Sequence, residues 1–521
     1  MFLWFVLLGF CSFFIHLYNI LWLKPERLRS KLRRQGIRGP SPSPLLGNIP
    51  EMKRIQSQLI KPPYKDGFVS HDWAHFLFPY FNHWKKEYGP ILMCSMGNIQ
   101  LLYVSHKEMV KEMSLCTSLD LGKPTYLQRE RGPLLGQGIL TSNGAVWAHQ
   151  RKIIAPELYM KRVKVIRMPS GMVNLMVESA TSLVNSWEMK IESDGGIRDV
   201  RIDEDLRSFS ADVISRACFG SNYSSGREIF VRLRALQQVM SKKSLLMGLP
   251  GLRYLPTKNN REIWRLEKEI RSLILELVKE RKEAIFERDL LQMIIDGAKD
   301  DERGPVSADN FIVDNCKNIY FAGHETTAMS ACWTLVLLAS NPEWQARVRA
   351  EVLQLCGGLA PDADMLRKMK LLTMVIQEAM RLYPTVVFMS REALEEMKLG
   401  EIHVPKGVNI WIPVITLHRD PDIWGPDADE FNPERFANGI SGACKLPHLY
   451  LPFGAGPRIC AGQNLAMTEL KIILALIISN FSLSISPKYR HSPVFKLVIE
   501  PEHGVNLLIR RVQFEKCSLE E

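Results

Sequence analysis

The sequence predicts a mainly α fold with small β-sheets, built as one large unit behind an N-terminal transmembrane helix. Three observations carry this. Met1 to Leu23 contains no Asp, Glu, Lys or Arg. Helical periodicity dominates beyond residue 51: Ile263, Leu266, Ile270, Leu273, Ile274, Leu277 and Val278 recur at three- and four-residue steps through a charged segment, the pattern of an amphipathic helix. Strand-like pieces are few and short, near 90–105, 386–392, 402–414 and 505–511.

Taken in order, the apolar run 1–23 makes a helix of about 35 Å, enough to cross a hydrocarbon core of about 30 Å. A cleaved secretory signal would need a basic start, a shorter apolar stretch and a small-residue cleavage site, so an uncleaved anchor is expected. The basic stem follows, with Lys24, Arg27, Arg29, Lys31, Arg33, Arg34 and Arg38 opposed only by Glu26. It carries +6 of the formal +11, leaving +5 for the rest of the 521 residues. Positive charge beside the span keeps that side cytosolic, and charge clustered there argues against a nucleic-acid partner. Gly39-Pro40-Ser41-Pro42-Ser43-Pro44 then reads as a stiff, extended spacer closing a stem and hinge over 24–50. No second linker or repeat interrupts the body, 51–521. Within it, 308–339 is a long apolar helical run interrupted by Gly323 and stopped by Asn341-Pro342, and a further helix covers about 364–382. Ten cysteines without a C-x-x-C pair exclude a zinc ribbon and a thioredoxin-type site.

Four motifs carry chemistry. Phe453-Gly454-Ala455-Gly456-Pro457-Arg458-Ile459-Cys460-Ala461-Gly462 reads F-x-x-G-x-R-x-C-x-G, with glycines that permit sharp turns and close backbone approach around one cysteine. Ala322-Gly323-His324-Glu325-Thr326-Thr327 places an acid and hydroxyls beside a mid-helix glycine. Glu378-x-x-Arg381 is weak alone, since the pattern also occurs at Glu26/Arg29, Glu204/Arg207 and Glu262/Arg265. Its context is stronger, with Leu382-Tyr383-Pro384 after it and Pro433-Glu434-Arg435-Phe436 before the cysteine loop. Trp147-x-x-x-Arg151 puts two side chains one helical turn apart.

Together these resemble the cytochrome P450 family of the microsomal type, and the resemblance runs from the proline segment to the last strands. It implies the cytochrome P450 fold as a single catalytic domain and haem b held through the Cys460 thiolate. Phe453, Gly456 and Gly462 would shape the haem loop, with Trp147, Arg151, Arg391 and Arg458 on the haem propionates. Gly323 would make room for dioxygen beside the iron, with Glu325 and Thr326 as the catalytic proton-relay and oxygen-holding pair. Glu378, Arg381 and Arg435 would brace the loop. It implies an endoplasmic reticulum membrane enzyme using O2, a hydrophobic substrate and electrons from NADPH-cytochrome P450 reductase, since no flavin or NADPH fingerprint is visible. The stretch Arg151, Lys152, Lys161, Arg162, Lys164 and Arg167 is expected to face that reductase. Arg151 to Pro156, Ala217 to Ser221 and Ala322 to Thr327 look like the plant clan that modifies gibberellins, brassinosteroids and triterpenoids, nearest its gibberellin-oxidase-like branch. Val386 to Met389 would form an apolar wall suited to a terpenoid. A haem-thiolate isomerase or dehydratase, and a non-enzymatic haem-binding membrane protein, stay open as alternatives.

Overall fold

The computed structural model describes residues 2–59, 71–159, 171–220, 223–241, 251–283 and 289–512. Helix α1 (Phe2–Tyr18) runs through a π-turn (Asn19–Leu23) into α2 (Lys24–Arg33). The principal helices that follow are α3 (Ile49–Ser57), α4 (Gly144–Ile154), α5 (Met172–Ser193), α6 (Ile202–Phe219), α7 (Tyr223–Ser241), α8 (Lys258–Glu283), α9 (Ala308–Ser340), α10 (Lys370–Leu382) and α11 (Gln463–Asn480). The strands are β1 (Ile91–Met96), β2 (Ile99–Val104), β3 (Leu121–Gly122), β4 (Ile197–Arg201), β5 (Phe388–Ala393), β6 (Met397–Leu399), β7 (Ile402–Val404), β8 (Asn409–Pro413), β9 (Phe481–Ile485), β10 (Pro493–Lys496), β11 (Val498–Pro501) and β12 (Asn506–Arg511). They form a five-stranded sheet ordered β1-β2-β8-β5-β3, a three-stranded sheet β4-β12-β9, and the hairpins β6-β7 and β10-β11.

Helix α9 is the axis of the body. It is buried on nearly every side, from Phe311 through Tyr320 and Trp333 to Ala339, with the polar Asn315, Lys317, Asn318 and Glu325 buried among the apolar residues. Helix α6 packs closely along it. The approach is closest at Gly323, where a Cβ would lie 2.4 Å from Ile214 Cδ1 of α6. The room this glycine makes is therefore filled by α6, and its absent side chain is a packing requirement between helices. Helix α8 buries Ile263, Leu266, Ile270, Ile274 and Val278, the stripe that its periodicity marked.

The sequence runs differ from the observed elements where local signals are overridden. Residues 364–382 break at Met369, whose ψ of 85° interrupts the helix. The run 402–414 splits into β7 and β8 around a turn at Gly407, which has a φ of 85°. Strands β3, β4, β6, β10 and β11 carry no alternation strong enough to announce them, and β9, although it alternates as Phe-Ser-Leu-Ser-Ile, is only five residues long; remote partners define them, as when β12 pairs with both β4 and β9.

The proline segment is not a spacer. Met93 N donates to Arg38 O (3.0 Å), Gly47 bridges to Met96, and Asn48 Oδ1 accepts from Ser95 N (2.8 Å) while its Nδ2 donates to Pro40 O and Ser41 O. Prolines lack the N–H that a ladder needs, so the segment contributes mainly carbonyls, and β1, an edge strand, supplies donors to them. Contact is close: a Cβ on Gly39 would lie 1.8 Å from Met93 O. Gly39→Ala is therefore expected to cost about 1–3 kcal/mol of stability by forcing the segment off β1, measured by urea unfolding; an unchanged midpoint would show the segment to be loosely held.

Candidate active site

The cysteine loop joins the core to the start of α11. Gly454 and Gly456 have φ of 72° and 71°, a left-handed conformation that costs other residues 1–2 kcal/mol or so. Gly456 is doubly constrained, because a Cβ there would meet Ser114 O at 2.8 Å. The turns close through Gly454 N to Leu451 O (3.0 Å), Ile459 N to Gly456 O (3.0 Å) and Cys460 N to Phe453 O (2.9 Å). Cys460 is accessible, yet surrounding protein pushes its thiol up, against a pull from the Gly462 backbone and Arg151.

Four cations converge beside this loop. Arg151 of α4 donates to Ile459 O (2.7 Å). Arg391 of β5 donates to Ser390 O (2.9 Å) and Ala455 O (3.4 Å). Arg458 donates to Ser142 O (3.1 Å) and Asn143 Oδ1 (2.9 Å), with its guanidinium 4.1 Å from the centre of the Trp147 ring. The indole thus holds Arg458, not Arg151, its neighbour one turn along α4. The fourth cation is Lys123, which no motif marked. Asn143 ties its backbone down through Lys123 N to Oδ1 (2.6 Å) and Nδ2 to Lys123 O (2.8 Å). Among the described residues none of the four is paired with a carboxylate; apart from the indole face, their contacts are carbonyl and amide oxygens. The cost shows in their acidity. Burial lowers Arg391 to about 10. Burial with Arg391 and Arg151 lowers Arg458 to about 9, and burial with Arg391 and Arg458 lowers Lys123 to about 7. Trp147, Arg391 and Arg458 line one recess with Leu121, Ala455 and Pro457.

Haem fits this donor set. It brings two carboxylates, which the uncompensated cations require, and an iron that accepts the one accessible thiolate of the loop. Trp147, Arg151, Arg391, Arg458 and Lys123 would hold its carboxylate edge, and Cys460 its iron.

Glu378, Arg381 and Arg435 meet behind the loop. Arg381 Nε and Nη2 bind the two Glu378 oxygens at 2.7 and 2.8 Å, and Arg435 Nε reaches Glu378 Oε1 at 3.4 Å. Asp427 completes the set, 2.6 Å from Arg435. His418 transmits it forward: its carbonyl accepts from Arg381 Nη1 (2.9 Å) and its Nε2 accepts from Leu451 N (2.8 Å), at the start of the cysteine loop. That acceptor role requires a neutral ring, and burial first, then Arg381, lowers His418 to about 3.

On α9, Thr326 Oγ1 donates to Ala322 O (2.7 Å). Glu325 lies elsewhere than a free relay would. It is 1% exposed at its side chain and receives Arg207 Nε at 3.1 Å and an Arg234 guanidinium. Arg207 also binds Asp203 (3.1 Å) and Glu500 (3.1 Å), and Glu500 binds Arg234 (3.1 Å) and Lys496 (2.8 Å). Burial alone would push the Glu325 carboxyl up, but Arg207, His324 and Arg234 outweigh it and hold it below its usual range. It is an anion clamped between guanidinium groups of α6 and α7, with no proton of its own to give.

The expected apolar wall divides. Met389 lies against the cysteine loop, its sulfur 3.9 Å from a Cβ placed on Gly454, and Val386 is exposed. Phe388 turns away, stacking on Trp411 at 4.9 Å and meeting Phe78 edge-on at 5.1 Å. Of the basic stretch, Arg151 faces inward and Lys152 sits 3.7 Å from Glu302; Lys161, Arg162, Lys164 and Arg167 lie outside the described residues. A separate cleft of about 210 Å³, lined by Gln56, Leu59, Leu77 and Val494, opens between α3 and β10, and it shares no residue with the cysteine recess.

Two tests follow from the charges. Arg381→Ala leaves Glu378 buried and half-paired, and is expected to cost about 3–5 kcal/mol, read by urea unfolding. Charging Lys123 within the haem-free fold is penalised in full below about pH 7, and the penalty fades as pH rises towards 10.5. The haem-free protein should therefore gain stability with rising pH across that window. Lys123→Met should flatten the gain; an unchanged slope would remove Lys123 from the cation cluster.

Comparison with known proteins agrees with this site. Residues 68–508 match the family model for cytochrome P450. Cytochrome P450 714C2 of Oryza sativa subsp. japonica is 57% identical over 96% of this chain and 96% of its own length. Cytochrome P450 714B3 of Zea mays is 51% identical over 97% and 95%, and cytochrome P450 714A2 of Arabidopsis thaliana 46% over 96% and 96%. A thiolate-bearing loop, a cradle of unpaired cations and end-to-end similarity to these plant enzymes lead to one conclusion: the chain belongs to the cytochrome P450 family and is a haem-dependent monooxygenase of its plant clan.

Proposed function

We propose that this monooxygenase oxidises a hydrophobic terpenoid, a gibberellin-like diterpenoid before a pentacyclic triterpenoid. It would work at the endoplasmic reticulum membrane with its body in the cytosol and draw electrons from NADPH-cytochrome P450 reductase. The observation that carries the oxidative reading is the accessible Cys460 sulfur on a loop beside four cations without a carboxylate among the described residues. The substrate class rests on the plant-clan segments and on Met389 as apolar surface against the loop. The anchor and its orientation rest on the apolar helix and the basic residues that follow it.

When bound, haem supplies the oxygen chemistry, and the thiolate tunes its iron. The rest falls to the chain. Arg151, Arg391, Arg458 and Lys123 orient the carboxylate edge, and Trp147 fixes the Arg458 guanidinium. Thr326 Oγ1 keeps its proton on Ala322 O and can re-aim it by one χ1 rotation. Glu325, ionised between Arg207 and Arg234, has to collect a proton before passing one on, so Arg234 controls when it can.

Membranes containing the chain, a plant reductase and NADPH, screened by mass spectrometry against gibberellins and triterpenoid acids, are expected to yield an oxidised product that requires NADPH. Product formed without NADPH would instead favour the isomerase or dehydratase reading. Thr326→Ala should lose on the order of 10²-fold in product formation, the scale of one positioned proton donor, while NADPH consumption continues; unchanged product per NADPH would remove Thr326 from the proton path.

A further inference from the structure

Anchor and body are joined without a flexible joint. Tyr18, Leu23 and Lys24, which flank the π-turn, keep helical φ/ψ of −60°/−41°, −65°/−47° and −64°/−49°, so Phe2 to Arg33 is one continuous rod. Its cytosolic third is docked. Pro25 and Leu32 are buried, and Leu28 packs on the core. Arg29 Nη1 reaches Gln100 Oε1 of β2 (3.5 Å), and Lys31 pairs with Glu396 (3.1 Å). Just past the helix, Gln35 binds the backbone of β7 twice, with Nε2 donating to His403 O (2.8 Å) and Oε1 accepting from His403 N (2.7 Å). Arg38 then joins β1 through its carbonyl.

The stem has a second face. At about 100° per residue, Lys24, Arg27, Lys31 and Arg34 share one strip, well around the helix from Pro25, Arg29 and Leu32, with Leu28 on the border between the two faces. Lys24, Arg27 and Arg34 are exposed and make no ion pair among the described residues, so their charge is available to anionic headgroups.

We propose that the stem is a rigid strut that holds the catalytic body in one orientation on the bilayer, locked by the Gln35–His403 and Lys31–Glu396 contacts and seated by the Lys24, Arg27 and Arg34 strip. A tethered body would swing about its anchor. A docked one presents the same face to the lipid at every turnover, which fixes where a membrane-dissolved substrate meets it.

The proposal rests on the anchor reading, and flotation of the full-length protein with liposomes checks that separately. Its own test is polarised absorption of the haem in oriented anionic bilayers, which requires no substrate. Wild type is expected to show clear linear dichroism. Inserting Gly-Gly-Ser-Gly between Leu23 and Lys24 leaves the dock untouched but breaks the rod, and should lower the dichroism at least two-fold at an unchanged haem spectrum. Gln35→Ala with Lys31→Ala, both on exposed residues, should lower it part-way. Isotropic wild type, or an insertion variant as ordered as wild type, would overturn the strut. Unchanged dichroism in the double alanine variant would overturn these two contacts as its lock.

Discussion

Positive charge without a carboxylate partner among the described residues, buried at Arg391 and half-buried at Arg151, Arg458 and Lys123, is the constraint around which the site is arranged. Arg151, Arg391, Arg458 and Lys123 gather beside the cysteine loop, Arg391 and Arg458 lining its recess, and burial lowers the pKa of Arg391, Arg458 and Lys123. Isolated buried charge is among the costliest things a fold can hold. Carbonyl acceptors and the Trp147 ring reduce that cost without cancelling it. The account closes when a group bearing carboxylates occupies the recess, and the accessible Cys460 at its side specifies what else that group carries.

Two other charged clusters behave in the opposite way. Around Glu325, four cations (Arg201, Arg207, Arg234 and Lys496) meet four carboxylates (Asp203, Glu204, Glu325 and Glu500). Behind the cysteine loop, Arg381 and Arg435 meet Glu378 and Asp427. These sets are balanced, and balanced sets bind elements together: α9 to α6, α7 and the β10-β11 hairpin in one case, α10 to the loop through His418 in the other. The cations beside the cysteine loop differ from both clusters in having no carboxylate among the described residues.

The motif residues were legible because their types and spacing already imply their chemistry. Cys460 with its glycines, Arg458, and Glu378 with Arg381 are each close in sequence to what they act on. What was not legible depends on remote pairing. Glu325 meets its partners Arg207 and Arg234 118 and 91 residues upstream, so its paired state could not be read from Ala322 to Thr327. Lys123 belongs to no pattern and is found only through Asn143. Gly323 looked like space for oxygen until Ile214 was seen filling it. The proline segment has the composition of a spacer, and only the open edge of β1 turns it into part of the body.

The direct test of the central claim is reconstitution of the haem-free protein with native haem and with haem whose two propionates are methyl esters. The ester keeps the iron, the ring and access to Cys460, and removes only the negative charge. If the cation cradle is the controlling interaction, the ester should bind more weakly by about 2–5 kcal/mol, the scale of losing a buried charge pair, and the difference should shrink in Lys123→Met. Equal affinity for both forms would contradict the account, placing the binding energy in the thiolate and the apolar ring.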